Sequence, residues 1–190
     1  MNPIFAAALE VQTFCQDRRF RFCIIGGVAV QRWGEPRLTV DVDLTLLTGF
    51  GNEESFVDAL LTGFRGRRDD TRDFALRHRV ALLTSSAGVN VDVSLGAMPF
   101  EERTIQRSSE FAPAAGVRFV TCSAEDLVVH KAFAGRAKDW LDIEGVAVRQ
   151  AGRLDESLIF RELEPLLELK DAPDVADRLR RVLRDARPKP

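Results

Sequence analysis

Apolar and polar side chains alternate most clearly between residues 20 and 47. Phe20, Phe22, Cys23, Ile24 and Ile25 predict a buried strand, broken by Gly26-Gly27. Val28–Trp33 predicts a short helix stopped by Gly34 and Pro36. A second strand is predicted over Leu38–Leu47, with Val40, Val42, Leu44 and Leu46 facing a core. Thr39, Asp41, Asp43 and Thr45 form the opposite row.

The same reading extends along the chain. Ile4, Ala8, Val11 and Cys15 have helical spacing, predicting a helix over 3–17. A helix is predicted over 53–61, a polar link over 62–73, and a strand over 74–84. Ser85–Gly88 has hairpin-turn composition, and Val89–Leu95 predicts a strand with Asn90, Asp92 and Ser94 on one face. A short helix over 99–108 and a strand over 117–121 follow. From Ser123 the pattern becomes helical throughout, opening on a cap and two acidic residues. Helices are predicted at 124–134, 137–150, 155–169 and 173–186, with the tail from Arg187 frayed. The expectation is an α+β chain: a mixed β-sheet core with flanking helices over 1–121, then a C-terminal helical subdomain over 122–190.

Composition narrows the classes. With 45% hydrophobic and 29% charged residues the chain can bury a sizeable core in water. A net charge of −2 supplies no global attraction to nucleic acid or an anionic membrane. Arg65, Arg67 and Arg68 cluster locally, but Asp69, Asp70 and Asp73 offset them, and a solvated loop is expected there. Cys15, Cys23 and Cys122 lack metal-ligand spacing and read as small buried hydrophobes of a reducing compartment. No apolar run has membrane-spanning length and no leader pattern opens the chain, so a cytoplasmic location is expected, with no membrane partner.

The chemistry lies on the polar row. Asp41 and Asp43 project side by side, and two adjacent carboxylates are costly to keep ionised without a cation. Their hard oxygens suit Mg²⁺ or Mn²⁺. Asp92 is the third candidate, as a metal ligand or as a base for an attacking hydroxyl. Gly26 and Gly27, before a helix, let backbone N–H groups approach a phosphate. Arg37 and Arg32 are near enough in sequence to neutralise its charge, with Thr39 on the carboxylate row. Metal, phosphate cradle and base together specify phosphoryl or nucleotidyl transfer.

Gly26-Gly27-Val28-Ala29 followed by Arg37-Leu38-Thr39-Val40-Asp41-Val42-Asp43-Leu44 resembles the DNA-polymerase-β-like nucleotidyltransferase superfamily. Within it the chain is similar to the AbiEii-type nucleotidyltransferase toxins. The resemblance continues at Asp92, at Asp126-Leu127-Val128-Val129-His130-Lys131, and at Arg136-Ala137-Lys138-Asp139-Trp140-Leu141-Asp142. It departs at Gly27, where the superfamily commonly has serine, and at Lys138, where arginine is usual.

The resemblance implies a nucleotidyltransferase core with its site in a cleft beside the helical subdomain. Asp41, Asp43 and Asp92 would hold Mg²⁺ or Mn²⁺ and act catalytically with Lys131. Gly26, Gly27, Arg37, Thr39, Lys131 and Asp142 would bind the nucleotide. The implied substrate is an NTP such as ATP, the acceptor an RNA or tRNA, a protein or a small molecule, and the toxin branch implies a cognate antitoxin. Lys131 is suited to a triphosphate as a point charge. On one continuous helix over 124–143, Lys131, Lys138 and Asp142 would share a face, unless Gly135 breaks it. The reading in a different class is a catalytically inactive nucleotide- or partner-binding protein that kept the fold.

Overall fold

Three runs rich in β-branched and aliphatic residues form the centre of a seven-stranded sheet. These are β1 (Phe22–Ile25), β2 (Asp41–Leu47) and β5 (Asn90–Gly96), joined by β3 (Arg65–Gly66), β4 (Val80–Thr84), β6 (Ser109–Ala114) and β7 (Val117–Thr121). The order is β3-β4-β5-β2-β1-β7-β6. Pairs β2–β5 and β1–β7 are parallel and the other pairs antiparallel, so the sheet is mixed. The computed structural model describes residues 2–150 and 152–187, and the rest of the tail expected to fray lies outside them. Two compact units result. One runs to Val28 and resumes over Leu38–Cys122; the other comprises Ala29–Arg37 and the chain from Ser123 onward.

In the first unit, one face of the sheet is apolar because alternate residues of its strands are. Val42, Leu44 and Leu46 of β2, Val91 and Val93 of β5, and Leu83 of β4 are fully buried. They pack with Val11 and Cys15 of helix α1 (Pro3–Asp17), and with Val57 and Leu60 of a helix over Glu53–Gly63. Each buried Val or Leu contributes about 1.5–3 kcal/mol relative to exposure. Cys15, Cys23 and Cys122 are buried and not joined in disulfides, and burial pushes the Cys15 thiol up to about 12. No described helix is long and apolar enough to cross a membrane.

Three expectations change. Leu38 and Val40 do not belong to β2: they are 86% and 69% exposed, and Val40 faces no core. The reason is partnership. The β5 register begins at Asp41↔Asn90, and beyond Asn90 the neighbouring chain turns into its hairpin. Phe74–His78 is the end of a helix (Thr71–His78), not the start of a strand. Thr71 and Ala75, four apart, are its buried positions, and Phe74 stacks on His78 at 4.4 Å. Arg79, left-handed at φ 55°, turns the chain into β4. Its guanidinium donates to the carbonyls of Leu95 and Gly49 and pairs with Glu53. The polar pattern also concealed β3 and the edge strand β6, whose Pro113 an edge tolerates.

After α3 (Glu53–Gly63), α4 (Thr71–His78) and α5 (Pro99–Gln106) of the first unit, the second unit contains α6 (Ala124–Ala134), α7 (Ala137–Gln150), α8 (Glu156–Lys170) and α9 (Asp174–Asp185), these last four each within one residue of the predicted span. Leu127, Ile143, Ile159, Leu163 and Leu179 are buried among them.

One buried polar side chain stitches α1 to the sheet. β1 meets β7 only near its end, at Ile24↔Thr121. Gln12, 6% exposed, takes the backbone groups β1 leaves: its amide donates to the Arg118 carbonyl at 2.9 Å and accepts from the Val120 N–H at 2.8 Å. Gln12→Leu orphans both, so it should destabilise the protein by about 1–3 kcal/mol in urea and expose the Val120 amide to hydrogen exchange. Unchanged stability and protection would contradict this role.

Candidate active site

Sheet register brings the polar residues of the first unit into rows. Asp43 of β2 is the partner of Asp92 of β5, and Asp92 of Leu82 of β4. The next row runs Asp41, Asn90, Thr84, Arg65. Partners in a ladder share a face, so Asp41, Asp43 and Asp92 all project from the side opposite the apolar core. All three are half-buried.

The glycine pair is explained by what lies against it. Gly26, left-handed at φ +60°, opens helix α2 (Gly26–Trp33) directly at the end of β1. A Cβ there would lie 2.7 Å from the Asp43 Cβ and closer still to its carboxylate. A Cβ on Gly27 would lie 2.7 Å from the Thr39 Cβ and closer to its hydroxyl. Thr39 is 6% exposed, with its hydroxyl 3.2 Å from both the carbonyl and the carboxylate of Asp41. Thus the Thr39 hydroxyl occupies the space that a side chain at position 27 would take.

Arg67 completes the arrangement. Its guanidinium donates to Asp92, where the sequence pattern predicts only a solvated loop. Burial raises the Asp92 carboxyl above its ordinary value, the Arg67 charge draws it back, and nearby Asp41 lifts it again; the net direction is up. Among the described residues no set of three or more His, Cys, Asp or Glu side chains is grouped to hold a metal ion. The donor chemistry fits one nonetheless. Mg²⁺ is commonly held by one or two carboxylates, with substrate phosphates and water completing its shell. Asp41 and Asp43 form such a pair, while Asp92 is occupied by Arg67.

In the second unit the downstream motif residues form an ion network. α6 ends at Gly135, left-handed at φ 70°, so residues 124–143 are two helices and not one. Lys138 is exposed and does not share a face with Lys131. Lys131 is buried, pairing with Asp139 at 3.1 Å and Asp142 at 2.8 Å. Arg37 grips Asp142 with two bonds, at 2.6 and 2.8 Å, and Arg136 does the same for Asp139, at 2.7 and 3.2 Å. Lys131 is therefore a fixed charge shared by two carboxylates, not a mobile one. Arg37 and Lys131 both engage Asp142, which is 3% exposed.

Residues 3–172 match a family described as nucleotidyltransferases of unknown function, DUF6036. The chain belongs to that family. Its fold is similar to that of an antigenic nucleotidyltransferase-like protein from Paracoccidioides brasiliensis, with a TM-score of 0.52 at 18% identity, covering 94% of this chain and 92% of the other. The antibiotic-resistance factor ANT(2'')-Ia aligns at a TM-score of 0.46 and 16% identity, covering 95% and 91%. No curated protein matches the chain.

Two features of this family member can be measured directly. Gly26→Ala combines left-handed strain with a clash on Asp43, whereas Gly88→Ala, at φ +76°, meets nothing within 4 Å. Gly26→Ala should therefore cost at least about 1 kcal/mol more than Gly88→Ala in urea unfolding, with part recovered when Asp43→Gly removes the clash. Equal costs would show that Asp43 does not require the glycine.

Acid titration tests the ion network. Burial alone would raise the Asp139 and Asp142 carboxyls, but bonds from Arg136 and Lys131, and from Arg37 and Lys131, outweigh it and hold both below the usual range. A depressed folded-state value means stability that is complete above about pH 5. It is lost as pH falls below the ordinary value of about 3.9 and through the depressed one. Asp142→Asn should flatten the loss of stability between about pH 5 and 2, read from denaturation midpoints. An unchanged slope would mean the network does not drive acid unfolding.

Proposed function

We propose that this protein transfers a nucleoside monophosphate from an NTP to an acceptor nucleophile, with release of pyrophosphate. The observation that carries the reading is the placing of Asp41 and Asp43 on one face of β2, in register with Asp92 and against the Gly26–Gly27 turn. A divalent cation, Mg²⁺ or Mn²⁺, held by Asp41 and Asp43 would neutralise the reacting phosphate and orient it. Around it, the Gly26–Gly27 backbone brings N–H groups to the phosphates, and Thr39 supplies the hydroxyl that Gly27 lacks. The acceptor oxygen bonds to the α-phosphorus, the bond to the bridging oxygen of pyrophosphate breaks, and the acceptor proton leaves to a carboxylate or to water. Asp92 is the third carboxylate, as ligand or as proton acceptor. Arg37, Lys131 and Asp142 are assigned to the nucleotide on their motif resemblance, alongside their ion pairing with one another.

A second reading has its own support. Asp92 is paired with Arg67, and no described trio of carboxylates is grouped for a metal, as expected of a nucleotide- or partner-binding protein that kept the fold without turnover. Incubation with each α-labelled NTP, Mg²⁺ and the RNA, protein and small-molecule fractions of a cell extract separates the two. The enzymatic reading expects label in one fraction and its loss by about 100-fold or more in Asp43→Asn, since even outer partners of a metal ligand cost roughly 10–100-fold. Nucleotide binding with no label in any fraction, small molecules included, would establish the second reading. For the toxin branch, expression should arrest growth in a manner abolished by Asp41→Ala and relieved by the product of an adjacent gene. Growth unaffected by expression would exclude it.

A further inference from the structure

Asp92 already has a cation, and that cation is a side chain. We propose that Arg67 competes with the divalent metal for Asp92, so that guanidinium and metal hold the third carboxylate alternately. The inference rests on the metal-site reading above and adds to it a residue that the sequence motifs do not contain.

Sheet register delivers Arg67 to this position. Arg65 and Gly66 pair with Thr84 and Leu83 of β4, and the Arg67 N–H donates to the Leu82 carbonyl at 3.0 Å. Leu82 is in turn the register partner of Asp92. The Arg67 backbone is thus fixed across β4 from Asp92, and its guanidinium spans that one strand. The contact is not an ordinary surface pair: the two side chains are only 25% and 31% exposed. The neighbouring arginine is committed elsewhere, Arg68 binding Asp70 at 2.7 Å. Asp92 is the register partner of Asp43, which shares its face of β2 with Asp41, so the guanidinium stands on the carboxylate row itself.

Two consequences follow from the chemistry. A guanidinium stays charged at any pH a protein tolerates, so this competitor can be displaced but not titrated away. A metal bound by all three carboxylates would face a positive charge held on one of them. While Arg67 holds Asp92, the metal has only Asp41 and Asp43; when the metal displaces Arg67, or when Arg67 is removed, Asp92 joins them.

Mn²⁺ binding to the purified protein, measured by the electron paramagnetic resonance of the free ion, tests this without reference to turnover. Arg67→Gln should tighten Mn²⁺ binding about tenfold, the low end of the roughly 10–100-fold effects seen when a metal ligand gains or loses the partner that positions it. The gain should vanish when the same substitution is made in Asp92→Asn. A gain that persists in Asp92→Asn is through-space repulsion and overturns the proposal. Unchanged or weaker binding in Arg67→Gln also overturns it, while loss of wild-type binding in Asp41→Asn would leave the metal reading intact. Absence of Mn²⁺ binding in every variant overturns both. Should Arg67→Gln not fold, the wild type decides: Mg²⁺ should shift the Arg67 side-chain ¹⁵N signal, and the absence of a shift on saturation overturns the competition.

Discussion

Asp43 and the Gly26–Gly27 turn share one small volume, and the polar face of the sheet is organised around that fact. A side chain at either glycine would strike Asp43 or Thr39, so the carboxylate row can sit against the backbone only because position 26 is bare and left-handed and position 27 is bare. Gly26 is also where the chain leaves β1 and helix α2 begins, with no residue between them. An anion drawn to that turn would therefore meet a carboxylate at once, a repulsion that a bound cation removes. Sterics at the turn and electrostatics on the strand point to the same chemistry.

Charge elsewhere is tied up in pairs whose burial decides their weight. Asp139 and Asp142 are almost fully enclosed and shared among Arg37, Lys131 and Arg136, which leaves three cations on two carboxylates within the helical unit. Removing one partner from such a set exposes the others to an uncompensated buried charge. Arg37 thereby ties the Ala29–Arg37 stretch to the helices with which it forms a compact unit. Arg72 with Asp58, by contrast, is an exposed pair whose contribution to stability is small.

Much of this was legible in the chain. Helical periodicity located α1 and the four C-terminal helices, and alternation placed Asp41, Asp43 and Asp92 on polar strand faces. Where local pattern and tertiary partnership diverge, pattern misleads. Val40 continues the alternation of β2 but has no strand beside it. Phe74, Ala75 and Leu76 run on toward Val80 like a strand, although the buried i,i+4 pair Thr71 and Ala75 marks a helix. Arg67 sits among acidic neighbours that offset its charge in the sequence, and only the β3–β4–β5 register reveals its reach to Asp92. Lys131 was legible as a motif residue, but not as the shared partner of two buried carboxylates.

Asp41 and Asp43 are proposed as the metal end of a nucleotide site. The most direct measurement is the anomalous difference map of crystals grown with Mn²⁺ and an NTP analogue that cannot be cleaved between its α- and β-phosphates. The expected result is a Mn²⁺ peak bounded by the Asp41 and Asp43 carboxylates, with the phosphates lying against the Gly26–Gly27 turn. Nucleotide bound there with no metal at Asp41 and Asp43, or metal and nucleotide at a different face of the protein, would contradict it.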